Sequence, residues 1–267
     1  MEAEKLWKKY GYPEPKSEAS KGPFSLVDNE IYSGICLPEL PFVARLDGWR
    51  FRPLTKKLKL KFPYDKFFAK CLVKTAKQFF TIFNPKLAYI FSDEINLLFL
   101  KIPFQRIEKI DSTFAGLASS VFHEAIRKRH EVKAVAFDCR CIPLREEEIL
   151  KYFRWRQAEA FRNHNNSWAY WILRKEGESA RAATEGLRGL DTAELFKLCK
   201  EHGIDLNKTP TWQRHGILLY KEPYRKEGFD PIRKKKVFVK RYRIKEDWEL
   251  PRFDSSKAER LFKKVLI

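Results

Sequence analysis

Two short, almost wholly apolar runs that follow each other closely constrain the fold of this chain more than any other feature. Residues 86–91 (KLAYIF) and 95–100 (INLLFL) are separated only by Ser92, Asp93 and Glu94. Short runs with so little polar alternation are typical of strands that are buried on both faces. Because the connection is so short, the two strands must be antiparallel neighbours. We therefore expect a hairpin in the centre of a sheet, with an acidic tip at one edge.

Four further segments surround this hairpin. An apolar run over 41–46 predicts a strand that stops at Asp47 and Gly48. A helix is predicted from an N-cap at Asp65 to about Phe83, and the other two segments are a helix over 105–129 and a strand over 132–142. The order is strand, helix, strand, strand, helix, strand. This α+β order predicts a ferredoxin-like βαββαβ sheet, the scaffold of polymerase palms.

Changes in composition divide the chain into four parts. Residues 1–40 are rich in Pro, Gly and Lys and form an N-terminal arm, and residues 41–145 form the palm catalytic domain. Helical patterns dominate residues 146–222, a fingers-like region, and basic residues are frequent in the C-terminal extension over 223–267. We therefore expect one catalytic sheet domain followed by helices and a basic tail.

The charge of the chain favours a polyanionic partner. Lys and Arg number 54 against 35 Asp and Glu, which gives a net charge of +19. Each phosphate that a basic side chain neutralises releases counterions. Nucleic acid is the first candidate partner and an anionic membrane surface the second, while solubility or heat tolerance is the alternative reason for the charge. No apolar stretch is long enough to span a bilayer, and the N-terminus lacks a signal-peptide core.

The cysteines do not form a recognisable metal or disulfide set. Cys139 and Cys141 would point to the same face of a strand, which is poor geometry for a disulfide or a zinc site. No Walker loop or Gly-x-Ser-x-Gly elbow is present either. We expect reduced thiols in a cytoplasmic protein at Cys36, Cys71, Cys139, Cys141 and Cys199.

Two acidic residues are expected to meet at one edge of the sheet. Asp47 ends the first strand and Asp93 lies at the hairpin tip, and these strands are neighbours in a βαββαβ sheet. Two carboxylates there could bridge two magnesium ions about 4 Å apart, with the Gly48 carbonyl as a further ligand. Glu94 should point to the face opposite Asp93, so we expect it to support the site or contact a base rather than to bind the metal. The alternative is that Asp-Gly and Ser-Asp-Glu are ordinary turn sequences.

Two basic residues open the second palm helix. Arg106 and Lys109 lie in its first turns, where the helix dipole disfavours positive charge and free N–H groups favour phosphate. Such placement makes sense if a triphosphate docks between them. A solvated helix end, with Glu108 and Asp111 offsetting the charge, explains the pattern equally well.

A series of short motifs in a fixed order resembles the tRNA-histidine guanylyltransferase family and its archaeal and bacterial Thg1-like relatives. The likeness runs from about Phe42 to Gly216 and includes a late set around Leu187, Asn207 and Arg214. Its main motifs are Arg45-Leu-Asp-Gly48, Thr55-Lys-Lys57, Pro63-x-Asp65, Ser92-Asp-Glu94, Phe137-Asp-x-Arg140 and Trp155-Arg-Gln-Ala158.

The resemblance implies a palm that works in the 3′-to-5′ sense. Asp47, the Gly48 carbonyl and Asp93 would hold two magnesium ions, and Glu94 would join the aspartates among the catalytic residues. The nucleotide would be bound by Gly48, Trp49, Arg50, Phe51, Ser92, Arg106 and Lys109. In the implied reaction, ATP or GTP activates a 5′-monophosphorylated tRNA, and the 3′-hydroxyl of an incoming GTP attacks the activated end. Family members are oligomers, commonly tetramers, and some repair 5′-truncated tRNAs by adding the nucleotide that pairs with the opposite strand.

Two departures from the family pattern bear on the substrate. Phe62-Pro63 stands where the family often has Lys-Pro, with Lys61 adjacent. Phe161-Arg-Asn-His164 stands where eukaryotic members have His-Ile-Asn-Asn. The leading His belongs to the more tRNA-histidine-selective members, so its replacement favours the template-directed type.

Basic and amide side chains on and after the long predicted helix could face tRNA, since such groups suit phosphate and base-edge contacts. The alternative is that aromatic residues bury one helix face while the arginines are solvated, and that His164 is a hydrogen-bonded structural residue. The C-terminal tract mixes Lys and Arg with Phe238 and Tyr242, as an RNA-backbone strip would, although basic tails are often only solvated. The predicted tRNA contacts are Arg154, Arg156, Arg162, Asn163, His164, Arg233, Lys234 and Lys235.

The sequence thus favours a magnesium-dependent nucleotidyltransferase that acts on tRNA. A nucleotide cyclase is a second hypothesis, because cyclases share the palm and its two carboxylates. A non-catalytic tRNA-binding module is the third.

Overall fold

A computed structural model describes residues 34–230, 232 and 235–266 of the chain. The predicted N-terminal arm therefore lies almost wholly outside the described residues, as do Arg233 and Lys234 of the predicted tRNA contacts. None of the helices in the described part of the chain combines the length and the apolar character that a membrane span requires.

The centre of the molecule is an antiparallel sheet of six strands in the order β4-β1-β3-β2-β5-β6. Strands β4, β1, β3 and β2 lie side by side in the order of a ferredoxin-like sheet, so the predicted palm topology is confirmed. The hairpin β2–β3 occupies the middle and is buried throughout, as its apolar sequence predicts. The strands are β1 (Phe42–Gly48), β2 (Leu87–Phe91), β3 (Glu94–Phe99), β4 (Phe137–Pro143), β5 (Ile217–Asp230) and β6 (Lys235–Asp247).

Three helices cover one face of the sheet: α1 (Phe51–Lys57), α2 (Lys66–Ile82) and α3 (Ile107–Ile126). Asp65 caps α2, because its Oδ1 accepts the N–H groups of Phe67 and Phe68 at 2.8 and 3.0 Å. Fully buried Phe79 and Phe114 lock α2 against α3, with their ring centroids 5.2 Å apart. This layer fixes the strands that carry the predicted site.

The second face is covered by the long helix α4 (Glu146–Lys175) and by the last described helix, α8 (Ser256–Leu266). Phe153 of α4 and Phe262 of α8 pack in this core with Tyr89 of the sheet. The chain beyond 216 thus returns to the palm, because β5 pairs with β2 and α8 closes the second layer. The predicted boundary at 222 falls within β5.

Three short helices contact α4, and the residues in and around the first two help to enclose a separate small core. They are α5 (Ala180–Gly186), α6 (Thr192–Glu201) and α7 (Thr211–His215). Asp191 forms a capping box with Glu194 at the start of α6. The core includes Ile172, Leu195 and Cys199, so the predicted helical region has its own apolar centre.

Two details differ from the sequence prediction. The fourth strand begins at Phe137, because residues 132–136 are irregular and cross the end of β1, where the N–H of Trp49 donates to the Ala136 carbonyl at 2.9 Å. β1 also runs through Asp47 and Gly48 before it turns. All five cysteines are free thiols, as predicted.

Candidate active site

Asp47 and Asp93 lie at the same edge of the sheet. The β1–β3 register places Asp47 opposite Glu94, the residue after Asp93. The N–H of Gly48 donates to the Asp93 carbonyl at 3.3 Å, which joins the end of β1 to the hairpin turn. The β1–β4 register adds Asp138 on the other side of Asp47. Three acidic residues, from β1, from the β2–β3 turn and from β4, therefore lie near one another at this edge.

The carboxylates at this edge repel one another. Burial, followed by the charge of Asp47, raises the pKa of Asp93 to about 6. Burial and the charge of Asp138 raise the pKa of Asp47. Among the described residues no basic side chain is within ion-pair distance of Asp47 or Asp93, whereas Arg140 lies 3.5 Å from Asp138. Clustered carboxylates without a cation partner form a site that a bound cation would stabilise.

The chemistry of these ligands suits magnesium. Mg²⁺ prefers oxygen ligands and binds through one or two carboxylates, with the remaining positions filled by water and substrate phosphates. Two aspartates therefore suffice, although no group of three or more His, Cys, Asp or Glu side chains in the described part of the chain is arranged to hold a metal ion. Asp47 and Asp93 fit the ion, and the Gly48 carbonyl is adjacent.

The Glu94 side chain extends from this edge into the layer under α4. Arg156 holds both of its carboxylate oxygens, with Nε 2.9 Å from Oε1 and Nη2 2.6 Å from Oε2. Asn96 donates to Oε1 at 2.8 Å, and the Tyr152 hydroxyl donates to Asn96 Oδ1 at 2.7 Å. These bonds hold the Glu94 side chain in place at the start of β3, and its predicted role beside the metal ligands stays a prediction.

The turn after β1 separates an exposed pair from a buried anchor. Trp49 is 61% exposed, and the Arg50 guanidinium carbon lies 5.4 Å from its ring centroid. Phe51 is only 2% exposed and packs on Phe122 and Phe137, so its ring is not available to contact a nucleotide. Trp49 and Arg50 are exposed beside the acidic edge, so both stay available for the predicted contact with a nucleotide.

Gly48 is required by packing as well as by any close approach of phosphate. A Cβ at this position would lie 2.4 Å from Cδ2 of Phe51, because the ring covers the glycine. Next to it, Ser92 adopts a positive φ of 50° in the hairpin turn, and its hydroxyl donates to Asp93 Oδ1 at 3.0 Å. Both residues shape the acidic edge.

Arg106 and Lys109 lie at the opposite edge of the sheet. β3 runs away from Asp93, so the helix that follows it begins at the far edge, where Phe114 packs on Phe99. An α-helix rises about 1.5 Å per residue, so the ends of the 20-residue α3 are ~30 Å apart. A triphosphate held at Asp47 and Asp93 is therefore out of reach of these side chains in the same chain. A triphosphate that docks between Arg106 and Lys109 would occupy a separate position, and this grip stays a prediction.

Two residues near the acids were assigned no role from the sequence. Asp138 belongs to a quoted motif, and its β4 position opposite Asp47 follows from strand alternation once the register is known. Arg45 lies two residues before Asp47 on the same face of β1, and its charge lowers the pKa of Asp47 against the effect of burial. The Arg45-x-Asp47 spacing is the signal that could have identified it.

Burial divides the predicted tRNA contacts. Arg156 and His164 are buried, so they are withdrawn from the surface that RNA could touch. His164 lies 2.9 Å from the Thr209 hydroxyl, and burial lowers its pKa to about 4, which leaves it neutral. The predicted contacts that keep some exposure are Arg154, Arg162, Asn163 and Lys235. Arg154 binds the Phe253 carbonyl and Glu259, and Arg162 pairs with Glu159.

The chain is similar over most of its length to named transferases. It is 27% identical to a tRNA(His) guanylyltransferase of Candida glabrata over 197 residues, which cover 68% of this chain and 83% of that protein. A probable tRNA(His) guanylyltransferase of Drosophila melanogaster is 29% identical, with 70% and 68% covered. Among solved structures, a bacterial tRNA(HIS) guanylyltransferase (Thg1)-like protein in complex with ATP is 27% identical with a TM-score of 0.69, covering 89% of this chain and 95% of that one.

A palm-like antiparallel sheet with carboxylates gathered at one edge, together with this likeness, defines the class of the protein as a nucleotidyltransferase. A family model described as "tRNAHis guanylyltransferase" matches residues 27–145, and one described as "Thg1 C terminal domain" matches residues 147–260. The chain belongs to the Thg1 family of tRNA(His) guanylyltransferases.

Proposed function

We propose that this enzyme adds nucleotides to the 5′ end of tRNA in the 3′-to-5′ direction, directed by the opposite strand, with two magnesium ions at Asp47 and Asp93. The observation that carries the proposal is the meeting of these two carboxylates at one sheet edge without a basic partner among the described residues. Named relatives are tRNA(His) guanylyltransferases, and Thg1-like structures of 25 and 27% identity contain GTP and ATP.

The proposed reaction has two stages. The 5′-monophosphate of the tRNA attacks the α-phosphorus of ATP or GTP and releases pyrophosphate. The 3′-hydroxyl of an incoming GTP then attacks the activated 5′-phosphate and releases the nucleoside monophosphate. Bound magnesium would lower the pKa of the attacking hydroxyl and neutralise charge on the leaving group.

The residues of this chain position the reactants. Asp47 and Asp93 would hold the metal ions, with the Gly48 carbonyl as the neighbouring ligand. Ser92 orients the Asp93 carboxylate, and the pair Glu94–Arg156 holds the first residue of β3 in place. Trp49 and Arg50 project from the turn after Asp47 and would contact the base and phosphates of a nucleotide.

The substrate is proposed to be tRNA because of the charge of +19 and the exposed basic groups on α4 and β6. Phe161 at the position of the family's selective histidine favours repair of 5′-truncated tRNAs over strict selection of histidine tRNA. We also propose that the enzyme assembles as a dimer or tetramer, as the resemblance implies, and that it is cytoplasmic, a location that its free cysteines favour.

Sequencing of tRNA 5′ ends after incubation with the protein, Mg²⁺, ATP and all four nucleotides tests the proposal. Histidine tRNA and 5′-truncated tRNAs are compared, and the added nucleotide should follow the base opposite. Asp93→Asn should abolish addition while the matched acid-to-amide control, exposed Glu131→Gln, adds normally. A cyclic product from GTP alone would favour a cyclase, and tRNA binding without addition under all conditions would favour a binding module.

A further inference from the structure

β5 and β6 continue past the sheet as a two-stranded ribbon. Only Ile217–Tyr220 of β5 pairs with β2, whereas the pairing with β6 continues to Asp230 and Lys235. Residues 221–230 and 235–245, here called the ribbon, therefore pair almost only with each other. An isolated pair of strands has no sheet neighbour to cover its side chains, so these face solvent.

The register of the ribbon gathers three aromatic side chains on one face. Lys236 faces Phe229, Phe238 faces Glu227, and Tyr242 faces Pro223, and cross-strand partners share a face. The exposed fractions of Phe229, Phe238 and Tyr242 are 64, 70 and 57%. This aromatic face is defined by Pro223, Arg225, Glu227, Phe229, Lys236, Phe238, Lys240 and Tyr242.

The opposite face of the ribbon is different. Its central positions are Val237, Val239 and Arg241, with Tyr224 across from Arg241. Alternation along β6 thus places valines on one side and large exposed rings on the other. Since both faces belong to the same strands, substitutions on the valine face are matched controls for substitutions on the aromatic face.

Cations lie between the exposed rings. Arg225 and Lys240 are cross-strand partners on the aromatic face, and Lys240 Nζ is 5.5 Å from the Tyr242 ring centroid. Among the side chains that the structure describes, no carboxylate is within ion-pair distance of Arg225 or Lys240, whereas Lys236 pairs with Glu227 at 2.6 Å. Two cations on this face are thus available to an anionic ligand.

The charge of the ribbon decides between two kinds of occupant. From Lys221 to Lys245 the sequence holds eleven basic and three acidic residues. Two copies of so basic a segment repel each other, so a second copy of the chain is disfavoured on this face. Exposed rings beside unpaired cations match single-stranded nucleic acid, whose bases stack on aromatic side chains while its phosphates bind Lys and Arg.

We infer that the aromatic face of the ribbon binds unpaired RNA, with bases stacked on Phe238, Tyr242 and Phe229 and phosphates on Arg225 and Lys240. The inference rests on the proposed function, because tRNA supplies unpaired loops and ends. Bases inside a duplex are already stacked on each other, so a paired segment offers phosphates but no free base faces. The ribbon therefore selects unpaired over paired segments of the substrate.

Fluorescence anisotropy of the full-length protein with two RNA probes tests this inference. One probe is an unpaired eight-nucleotide RNA that carries 2-aminopurine, and the other is a blunt RNA duplex. Phe238→Ala/Tyr242→Ala should weaken binding of the unpaired probe by about tenfold or more, remove the quenching of 2-aminopurine, and change duplex binding less than about twofold. Val237→Ala/Val239→Ala on the opposite face should bind both probes as the wild type does.

Three results would overturn the inference. The first is that Phe238→Ala/Tyr242→Ala loses affinity for both probes equally, and the second is that the valine control loses as much affinity for the unpaired probe. The third is that RNA binding is unchanged while light scattering shows a smaller oligomer, which would make the face a contact between copies. Failure of the proposed function has a different signature, since then the wild type would not modify tRNA. Asp93→Asn, which blocks the proposed chemistry, should still bind the unpaired probe.

Discussion

Arg156 donates two hydrogen bonds to the Glu94 carboxylate, from Nε to Oε1 at 2.9 Å and from Nη2 to Oε2 at 2.6 Å. The pair is buried, and Glu94 directly follows Asp93 in the chain. Its bonds to Arg156 therefore tie the long helix α4 to the acidic edge. Removal of one partner leaves an uncompensated charge in the interior. The pair is therefore expected to matter for stability and for the position of the site.

The first prediction is that Arg156→Ala lowers the free energy of unfolding by about 3–5 kcal/mol. Urea denaturation measures this change. Arg162→Ala removes the partner of Glu159 in an exposed pair on the same helix and should cost less than ~1 kcal/mol. A double substitution, Glu94→Gln/Arg156→Met, should be more stable than Arg156→Ala alone. Equal losses for the buried and exposed pairs would contradict the assigned role.

The second prediction concerns pH. The pKa of Asp93 is about 6 in the folded protein, above its ordinary value of 3.8, so the folded state binds the proton more tightly than the unfolded chain. The stability that this protonation provides is present at low pH and is lost as pH rises through about 6. In metal-free protein, Asp93→Asn should therefore raise the free energy of unfolding above pH 6, relative to wild type, by ~1–3 kcal/mol.

Denaturation in EDTA between pH 4 and 8 checks this, with Glu131→Gln as the control. At each pH the compared quantity is the free energy of unfolding of Asp93→Asn minus that of the wild type. A smaller difference at pH 8 than at pH 4 would show that charging the Asp93 carboxylate does not destabilise the folded protein.

The third prediction concerns the packing of Gly48 against Phe51. Gly48→Ala places a methyl group 2.4 Å from the Phe51 ring and should destabilise the fold by about 1–3 kcal/mol. Gly116→Ala is the control, because it lies within a helix and its Cβ meets no atom within 4 Å, so it should stabilise by about 0.4–1 kcal/mol. Thermal unfolding of the two variants measures both signs. A neutral Gly48→Ala would mean that Phe51 can move freely.

The fourth prediction follows from the distance between the two ends of α3. Arg50→Ala should raise the KM for GTP by about tenfold, since Arg50 follows the acidic edge, whereas Arg106→Ala should leave it within about twofold. Steady-state kinetics of nucleotide addition provide both values. A raised KM for Arg106→Ala would contradict this prediction. If a mixture of Arg106→Ala and Asp93→Asn proteins then restored the wild-type KM, Arg106 would act in the site of a neighbouring copy.

The sequence predicted those features that depend on local pattern. The apolar runs around Ser92 and Asp93 gave the buried hairpin, and the cap at Asp65 gave the start of α2. The strand order then brought Asp47 beside Asp93, because neighbouring strands in this topology share an edge. Periodicity and turn residues are local properties, so a single sequence carries them.

The remaining features depend on contacts between distant segments. Arg156 lies 62 residues after Glu94, and no local pattern announces their pairing. The family resemblance implied that Phe51 contacts the nucleotide, yet its ring turns into the core. The placement of Arg106 at the opposite edge depends on the direction of the chain, which helix-end chemistry does not reveal. Burial decides the first two cases, and the direction of the chain decides the third.

The count of bound divalent ions tests the central claim most directly. Mn²⁺, which binds the same oxygen ligands as Mg²⁺, is titrated by electron paramagnetic resonance into the protein with a non-hydrolysable GTP analogue. Two ions should bind tightly to the wild type and to Glu131→Gln, and each of Asp47→Asn and Asp93→Asn should lose at least one of them. Two tight ions retained in both aspartate variants would show that these carboxylates do not hold the metal.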